Sequence, residues 1–209
     1  MKLEPTILFV PGLRDHVEDH WQTLLARRIP GSRTVPPVER DKLSCTTRVA
    51  ALDAALEAIE GPVVLVAHSA GVMITVHWAH SAQARTSQIE GALLAALADL
   101  ESPLPRGYPT LEAIRTNGWL PIPRRELPFP SIVAASTNDP LAALDRVASY
   151  ARDWGSRLID VGPVGHLNPA AGFGEWKRAE TMLQELRRAD EPMVKTPRRA
   201  VARHEPGGP

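Results

Sequence analysis

The sequence predicts a three-layer α/β fold, with a mostly parallel central sheet of about six strands and helices on both faces. Short apolar runs alternate with helix-patterned segments along most of the chain. Several of those runs stop abruptly at Pro, Gly or a cluster of small residues. Strands joined through helices pair in parallel by right-handed crossovers, which covers both faces of the sheet. A chain of 209 residues suits one domain with a single sizeable core.

Residues 7–10, "ILFV", read as a buried strand halted by Pro11-Gly12. Residues 20–28 carry Trp21, Leu24 and Leu25 at helical spacing. A short second strand is expected over 32–35, before Pro36-Pro37. Residues 46–59 set Val49, Leu52, Leu56 and Ile59 on one stripe, and Gly61-Pro62 ends that helix. Residues 63–67 are the third strand and 72–82 the helix after it. The fourth strand is expected over 92–97, although its alanines would also suit a helix. A fifth strand at 132–135 leads into a helix over 141–154. The sixth is expected at 158–161, and a helix over 175–188 closes the domain. There is no internal repeat.

Two segments fall outside this alternation. Residues 101–130 hold seven prolines and little periodicity. They read as an ordered irregular excursion, a candidate flap over the site. Residues 190–209, "DEPMVKTPRRAVARHEPGGP", combine Pro, Gly and charge with almost no large apolar residue. The expectation is a domain over 1–189 followed by a disordered tail.

Composition excludes several classes of function. The 24 basic residues balance 24 acidic ones, whereas nucleic acids and anionic membrane surfaces call for a basic excess. Neither partner is expected. The single Cys45 rules out an intrachain disulfide and suits a reducing cytoplasm. The first apolar run is too short for a signal peptide, and nothing approaches the roughly 18 residues of a membrane span. A cytoplasmic protein is expected.

Parallel sheets bind ligands beyond the carboxyl ends of their strands, so chemistry is sought in the loops there. After the third strand comes "AHSAG", a near match to G-x-S-x-G with Ala67 in place of the first glycine. A sharp strand-to-helix bend demands small residues on either side of its centre, and holds the central serine above the sheet as a nucleophile. In that reading the N–H of Ala70, at the helix start, faces a developing oxyanion. A serine N-cap on an ordinary helix accounts for the same pentapeptide.

Asp139 follows the fifth strand in "ASTNDP", where a turn or cap is its default role. His166 follows the sixth in "VGPVGHLNPAAGFGEW", and a surface-loop histidine is the commoner finding. Taken together, the three give the chain order Ser, Asp, His of α/β-hydrolases, each in a matching loop. That coincidence favours Ser69 as nucleophile, Asp139 as acid and His166 as base. Asp99, near the end of the fourth strand, is the rival acid.

A second oxyanion donor is expected from the loop after the first strand. In "FVPGLRDH", Gly12 allows a bend and the N–H of Leu13 can point inward, although a plain Pro-Gly turn needs the same residues. His16 and His20 with Asp15, Glu18 and Asp19 suggest a metal site, but no H-E-x-x-H motif or evident third ligand accompanies them. A solvated helix start is favoured, and no metal or organic cofactor is expected. His77 and His80 read as packing residues.

The stretches "VPGLRDHVEDHWQTLL", "VLVAHSAG", "ASTNDP" and "GHLNPAAGFGEW" resemble a group of small serine hydrolases of the α/β-hydrolase superfamily. That group includes the retinoblastoma-binding-protein hydrolases and YdeN-like bacterial proteins. The resemblance spans roughly residues 5–187. It implies a serine hydrolase with Ser69, Asp139 and His166 as its triad, and a structural or pocket-lining role for His20 and Trp21. Two departures stand out: Arg14-Asp15-His16 where many relatives carry small residues, and no tryptophan over residues 36–50. The expected reaction is acyl transfer to water from a small carboxylic ester, with an amide as the less favoured substrate. A protein-binding module or an acyltransferase on the same scaffold is the alternative.

Overall fold

The computed structural model describes residues 4–187. The tail expected over 190–209 lies outside the described residues, as do both ends of the expected domain.

The first half contributes β1 (Thr6–Val10), α1 (Trp21–Arg28), β2 (Arg33–Thr34), α2 (Cys45–Glu57), β3 (Val63–His68) and α3 (Ala70–Ala79). The second contributes β4 (Ile89–Ala95), α4 (Leu111–Thr116), β5 (Ser131–Ala135), α5 (Leu144–Asp153), β6 (Arg157–Asp160) and α6 (Arg178–Arg187). The six strands form one sheet in the order β2-β1-β3-β4-β5-β6, every neighbouring pair parallel.

Alternation along each strand sorts the core into two layers. Leu8, Val10, Leu65, Ala67, Leu94 and Val133 pack with residues of α2, α3 and α5. Ile7, Phe9, Val64, Val66, Leu93 and Ile132 pack with Trp21 and Leu25 of α1 and Met182 and Leu183 of α6. Both sheet faces are covered, which is why the strands read as unbroken apolar runs. Leu65, at the centre and fully buried, is a position where truncation to Ala costs about 2–5 kcal/mol. Helix α3 is buried on nearly every side, and so carries no amphipathic stripe.

The strand order reverses direction between β1 and β3. The chain leaves β1 towards β2, then returns over β1 to reach β3. Connections that depart on opposite sides leave a crevice at the carboxyl ends of these two strands. The loops carrying Leu13 and Ser69 both open onto it.

The proline-rich excursion is more regular than its sequence suggests. Thr110 caps α4 by accepting from the N–H of Ala113 at 3.1 Å. Beyond it Ile114, Trp119, Ile122, Leu127 and Phe129 are buried in the layer that holds α3. Trp119 Nε1 donates to the carbonyl of Leu43 at 2.7 Å. One buried residue in a six-residue helix leaves no period to detect, and Trp119 and its neighbours pack without secondary structure. Only residues 104–109 reach the site. Strand β4 begins three residues earlier than the expected 92–97, with Gly91 inside it.

Candidate active site

Ser69 stands between β3 and α3 with φ 59° and ψ −127°. This is a sparsely populated conformation for a residue with a Cβ. Its hydroxyl makes no capping bond to α3, so the side chain does not serve the helix it precedes. The small neighbours have a steric reason. A Cβ on Gly71 would lie 2.1 Å from the carbonyl oxygen of Val10, and Ala67 is fully buried against the core. A Cβ on Gly12 would lie 3.1 Å from that of Ser69, which brings the loop after β1 against the bend.

The loops after β5 and β6 bring two more side chains to Ser69. Ser69 Oγ lies 2.8 Å from His166 Nε2. His166 Nδ1 lies 2.8 and 3.0 Å from the two carboxylate oxygens of Asp139. Side-chain exposure is 5% for His166 and 3% for Asp139. Asp139 also accepts from the N–H of Leu141 at 2.9 Å, fixing its rotamer. Asn138 links the two loops: its Oδ1 accepts from the N–H of Gly165 at 2.7 Å. An imidazole whose Nδ1–H is held by a carboxylate presents Nε2 as a base to the hydroxyl it touches.

Asp99 is not part of this line. Its carboxylate accepts from Arg146 at 3.0 and 3.2 Å, from Tyr150 at 3.0 Å and from Ser102 at 2.7 Å. The N–H groups of Leu13 and Ala70 have no acceptor among the described residues, and both residues line the same cavity as Ser69.

That cavity measures about 400 Å³. Loops after β1, β3, β4 and β6 surround it, together with residues 42–43, 104–109 and Leu141. Most of the wall is apolar, through Leu13, Leu43, Leu100, Leu104, Tyr108 and Leu141.

Two further histidines back the site. His68 Nε2 donates to the backbone carbonyl of His166 at 2.9 Å. Its ring centroid lies 4.5 Å from that of His20 and 4.9 Å from that of His166. Burial drives the pKa of His68 well below the usual imidazole range, and the nearby His166 and His20 lower it further. His20, also buried first and next to His166, is pushed down to about 4. Its Nδ1 caps α1 by accepting from the N–H of Gln22. His20 is thus spent on structure and pocket wall, while His16 is exposed. Trp21 is buried, its ring edge-on to Trp176 at 4.9 Å. Of the remaining pair, His77 Nε2 donates to the carbonyl of Trp119 and His80 Nε2 to that of Arg125.

Arg48 escapes sequence reasoning. It is 3% exposed and reaches from α2 under the loop after β1. Nη1 meets Asp15 Oδ1 at 2.8 Å, Nη2 the carbonyl of Leu13 at 3.2 Å, and Nε the carbonyl of Lys42 at 2.6 Å. An arginine beside an apolar helical stripe reads as a solvated residue, so nothing in the sequence marks it. His68 hides similarly, as the variable residue inside the pentapeptide.

The serine hydrolase family model matches residues 7–185. A solved structure described as a YdeN-like hydrolase from Pectobacterium atrosepticum is 31% identical, with a TM-score of 0.72 over 88% of this chain and 90% of that one. The ydeN gene product of B. subtilis is similar in fold, at 16% identity and TM-score 0.62, over 88% and 98% of the two chains. So is mouse alpha/beta hydrolase domain-containing protein 10, at 15% identity and TM-score 0.63, over 89% and 92%. No curated protein matches the chain. Among the described residues no helix is long and apolar enough to cross a membrane. With an α/β-hydrolase fold and a family match over most of its length, the chain belongs to the serine hydrolase family.

Proposed function

We propose that the protein hydrolyses small carboxylic esters through an acyl-enzyme on Ser69. The hydrogen-bonded line from Ser69 Oγ through His166 to Asp139, at the wall of an apolar cavity, is the observation that supports this most. Ser69 Oγ bonds to the ester carbonyl carbon as its proton passes to His166 Nε2. The carbonyl oxygen becomes an oxyanion held by the N–H groups of Leu13 and Ala70. Collapse breaks the bond to the alcohol, which leaves with the proton from His166. Water then adds to the acyl carbon and gives a proton to His166. The acid departs, and Ser69 Oγ recovers its hydrogen.

Asp139 orients the imidazole and stabilises its cation during each transfer. Ser69 is held in its unusual backbone conformation, so its hydroxyl faces His166 before substrate arrives, which removes an orientation cost. The cavity and the short 104–109 cover favour small acyl groups, because each extra methylene gains its ~0.8 kcal/mol only where apolar wall remains to bury it.

A fluorophosphonate probe tests the assignment. Labelling is expected at Ser69 alone and is lost in Ser69→Ala. Among 4-nitrophenyl esters of unsubstituted acids, acetyl to butyryl should be cleaved best, with kcat/KM falling beyond roughly six carbons. Labelling at a different serine, or turnover by the alanine variant, would remove Ser69 from the mechanism.

A further inference from the structure

Besides the Tyr108 phenol, six ionisable side chains line the cavity: Arg14, Asp15, His20, Lys42, His68 and His166. Their charges do not cancel. Asp15, the one carboxylate, is held at 2.8 Å by the buried Arg48, so its charge is neutralised within the wall. His20 and His68 are held neutral at pH 7 by burial and by the neighbouring imidazoles. Arg14 and Lys42 are exposed at the mouth, and neither has an ion-pair partner among the described residues. A chain of zero formal net charge thus places two uncompensated cations on the rim of its cavity.

Their position is built rather than accidental. One guanidinium, that of Arg48, binds the carbonyls of Leu13 and Lys42 together. The backbone segments bearing Arg14 and Lys42 are therefore tied to each other beside the candidate oxyanion loop. Arg14 is steadied in addition by Tyr108, with Cζ 5.9 Å from the centroid of that ring. Cations above low-dielectric walls concentrate their field into the cleft and draw in ligands of opposite sign. A neutral ester gives that field nothing to act on.

We propose that the preferred substrates are esters bearing a second, anionic group, a carboxylate on the acyl or the alcohol side, which Arg14 and Lys42 bind at the cavity mouth. This rests on the esterase reading above and names its substrate class. The reaction is unchanged; the anion adds attraction on entry and fixes which end of the ester faces Ser69.

Matched esters test it. 4-Nitrophenyl hydrogen glutarate is compared with 4-nitrophenyl valerate for a carboxylate on the acyl side. 4-Acetoxybenzoate is compared with 4-methylphenyl acetate for one on the leaving alcohol. The anionic member of at least one pair should show about tenfold higher kcat/KM at low salt. The pair that shows it identifies the side. The advantage should shrink as ionic strength rises from about 0.02 M to 0.5 M, because screening shortens the reach of exposed charges. In R14Q/K42Q the anionic-to-neutral ratio should fall towards one. Both substitutions are on the surface, so the fold is not at stake. Neutral esters cleaved as well as both anionic partners would overturn the inference while leaving the esterase reading intact. So would a preference that survives the double substitution. If no ester in either pair is cleaved, the esterase reading fails and this inference with it.

Discussion

Asp99 and Asp139 follow neighbouring strands, β4 and β5, and their side chains are 4% and 3% exposed. They differ in what they touch. Asp99 meets a permanent cation, Arg146, and two hydroxyls, and its network continues through Glu101 to Arg124 and Asp153. Burial pushes its pKa up, yet hydrogen bonds from Arg146, Ser102 and Tyr150, together with the charge of Arg146, hold it below the usual carboxylate value. Asp139 meets an imidazole whose other nitrogen points at a hydroxyl. A carboxylate saturated by a guanidinium can only fasten α5 to the end of β4. One facing an imidazole can respond when that ring gains a proton. Burial and position at a strand end are shared, and only the partner separates structure from chemistry.

Exchanging each carboxylate for its amide tests that contrast most directly. Asp139→Asn should lower kcat by roughly 10²- to 10⁴-fold, since the imidazole loses the acceptor that sets its tautomer. Its melting temperature should change little beside that loss. Asp99→Asn should do the reverse. It removes the buried charge that Arg146, Tyr150 and Ser102 donate to, while Arg146 keeps Glu101, and should cost about 1–3 kcal/mol of stability, while kcat per folded molecule stays within a few-fold. Denaturant titration and steady-state kinetics on the two variants decide the matter. A crippled Asp99 variant with full stability would reverse the assignment.

Arg48 offers a sharper version, a buried cation that fastens a loop within the site itself. Arg48→Gln keeps some hydrogen bonding but releases the carbonyls of Leu13 and Lys42. Because losing one oxyanion donor outright costs about 10²- to 10³-fold, loosening the loop of Leu13, the proposed donor, should lower kcat by about ten- to hundredfold with a smaller change in KM. A rise in KM alone would assign Arg48 to the cavity wall and not to positioning the Leu13 N–H.

The smallest effect concerns the backing histidines. The pKa of His20 is about 4 in the folded chain against about 6.5 unfolded. As pH falls from 6.5 towards 4, the unfolded chain takes up a proton that the folded chain refuses, so stability is full above 6.5 and declines through that window. His20→Asn retains an acceptor to cap α1 and removes the titration. Its stability loss between pH 6.5 and 4 should be smaller by roughly 1–3 kcal/mol. An unaltered acid profile would remove His20 from the origin of acid sensitivity.

The fold is legible because both sheet faces are buried. Runs such as residues 7–10 and 63–66 carry no polar interruptions, and Pro or Gly marks where several of them stop. Ser69, Asp139 and His166 are legible as a set because parallel topology carries every strand end to one edge of the sheet. Three loops far apart in sequence then become neighbours without any distance being known. Contacts that depend on where side chains travel are not legible. Arg48 leaves its helix to reach under a loop 33 residues earlier. Trp119 and Phe129 enter the core from a segment whose prolines hide any period. The rotamer that separates Asp99 from Asp139 is a fact of packing, for which the sequence offers two equivalent aspartates.

The positive φ of Ser69 sets folding against function at one residue. An L-residue held in that sparsely populated region is disfavoured by about 1–3 kcal/mol, whereas glycine occupies it freely. Ser69→Ala and Ser69→Gly both delete the hydroxyl, but only the second relieves the backbone. The glycine variant should therefore unfold at higher temperature than the alanine variant, even though glycine in most other places loosens a chain. Drift that favoured durability alone would erode this bend first. A protein of this shape that had lost its reaction would be expected to betray it there, in a quiet glycine at the top of its third strand.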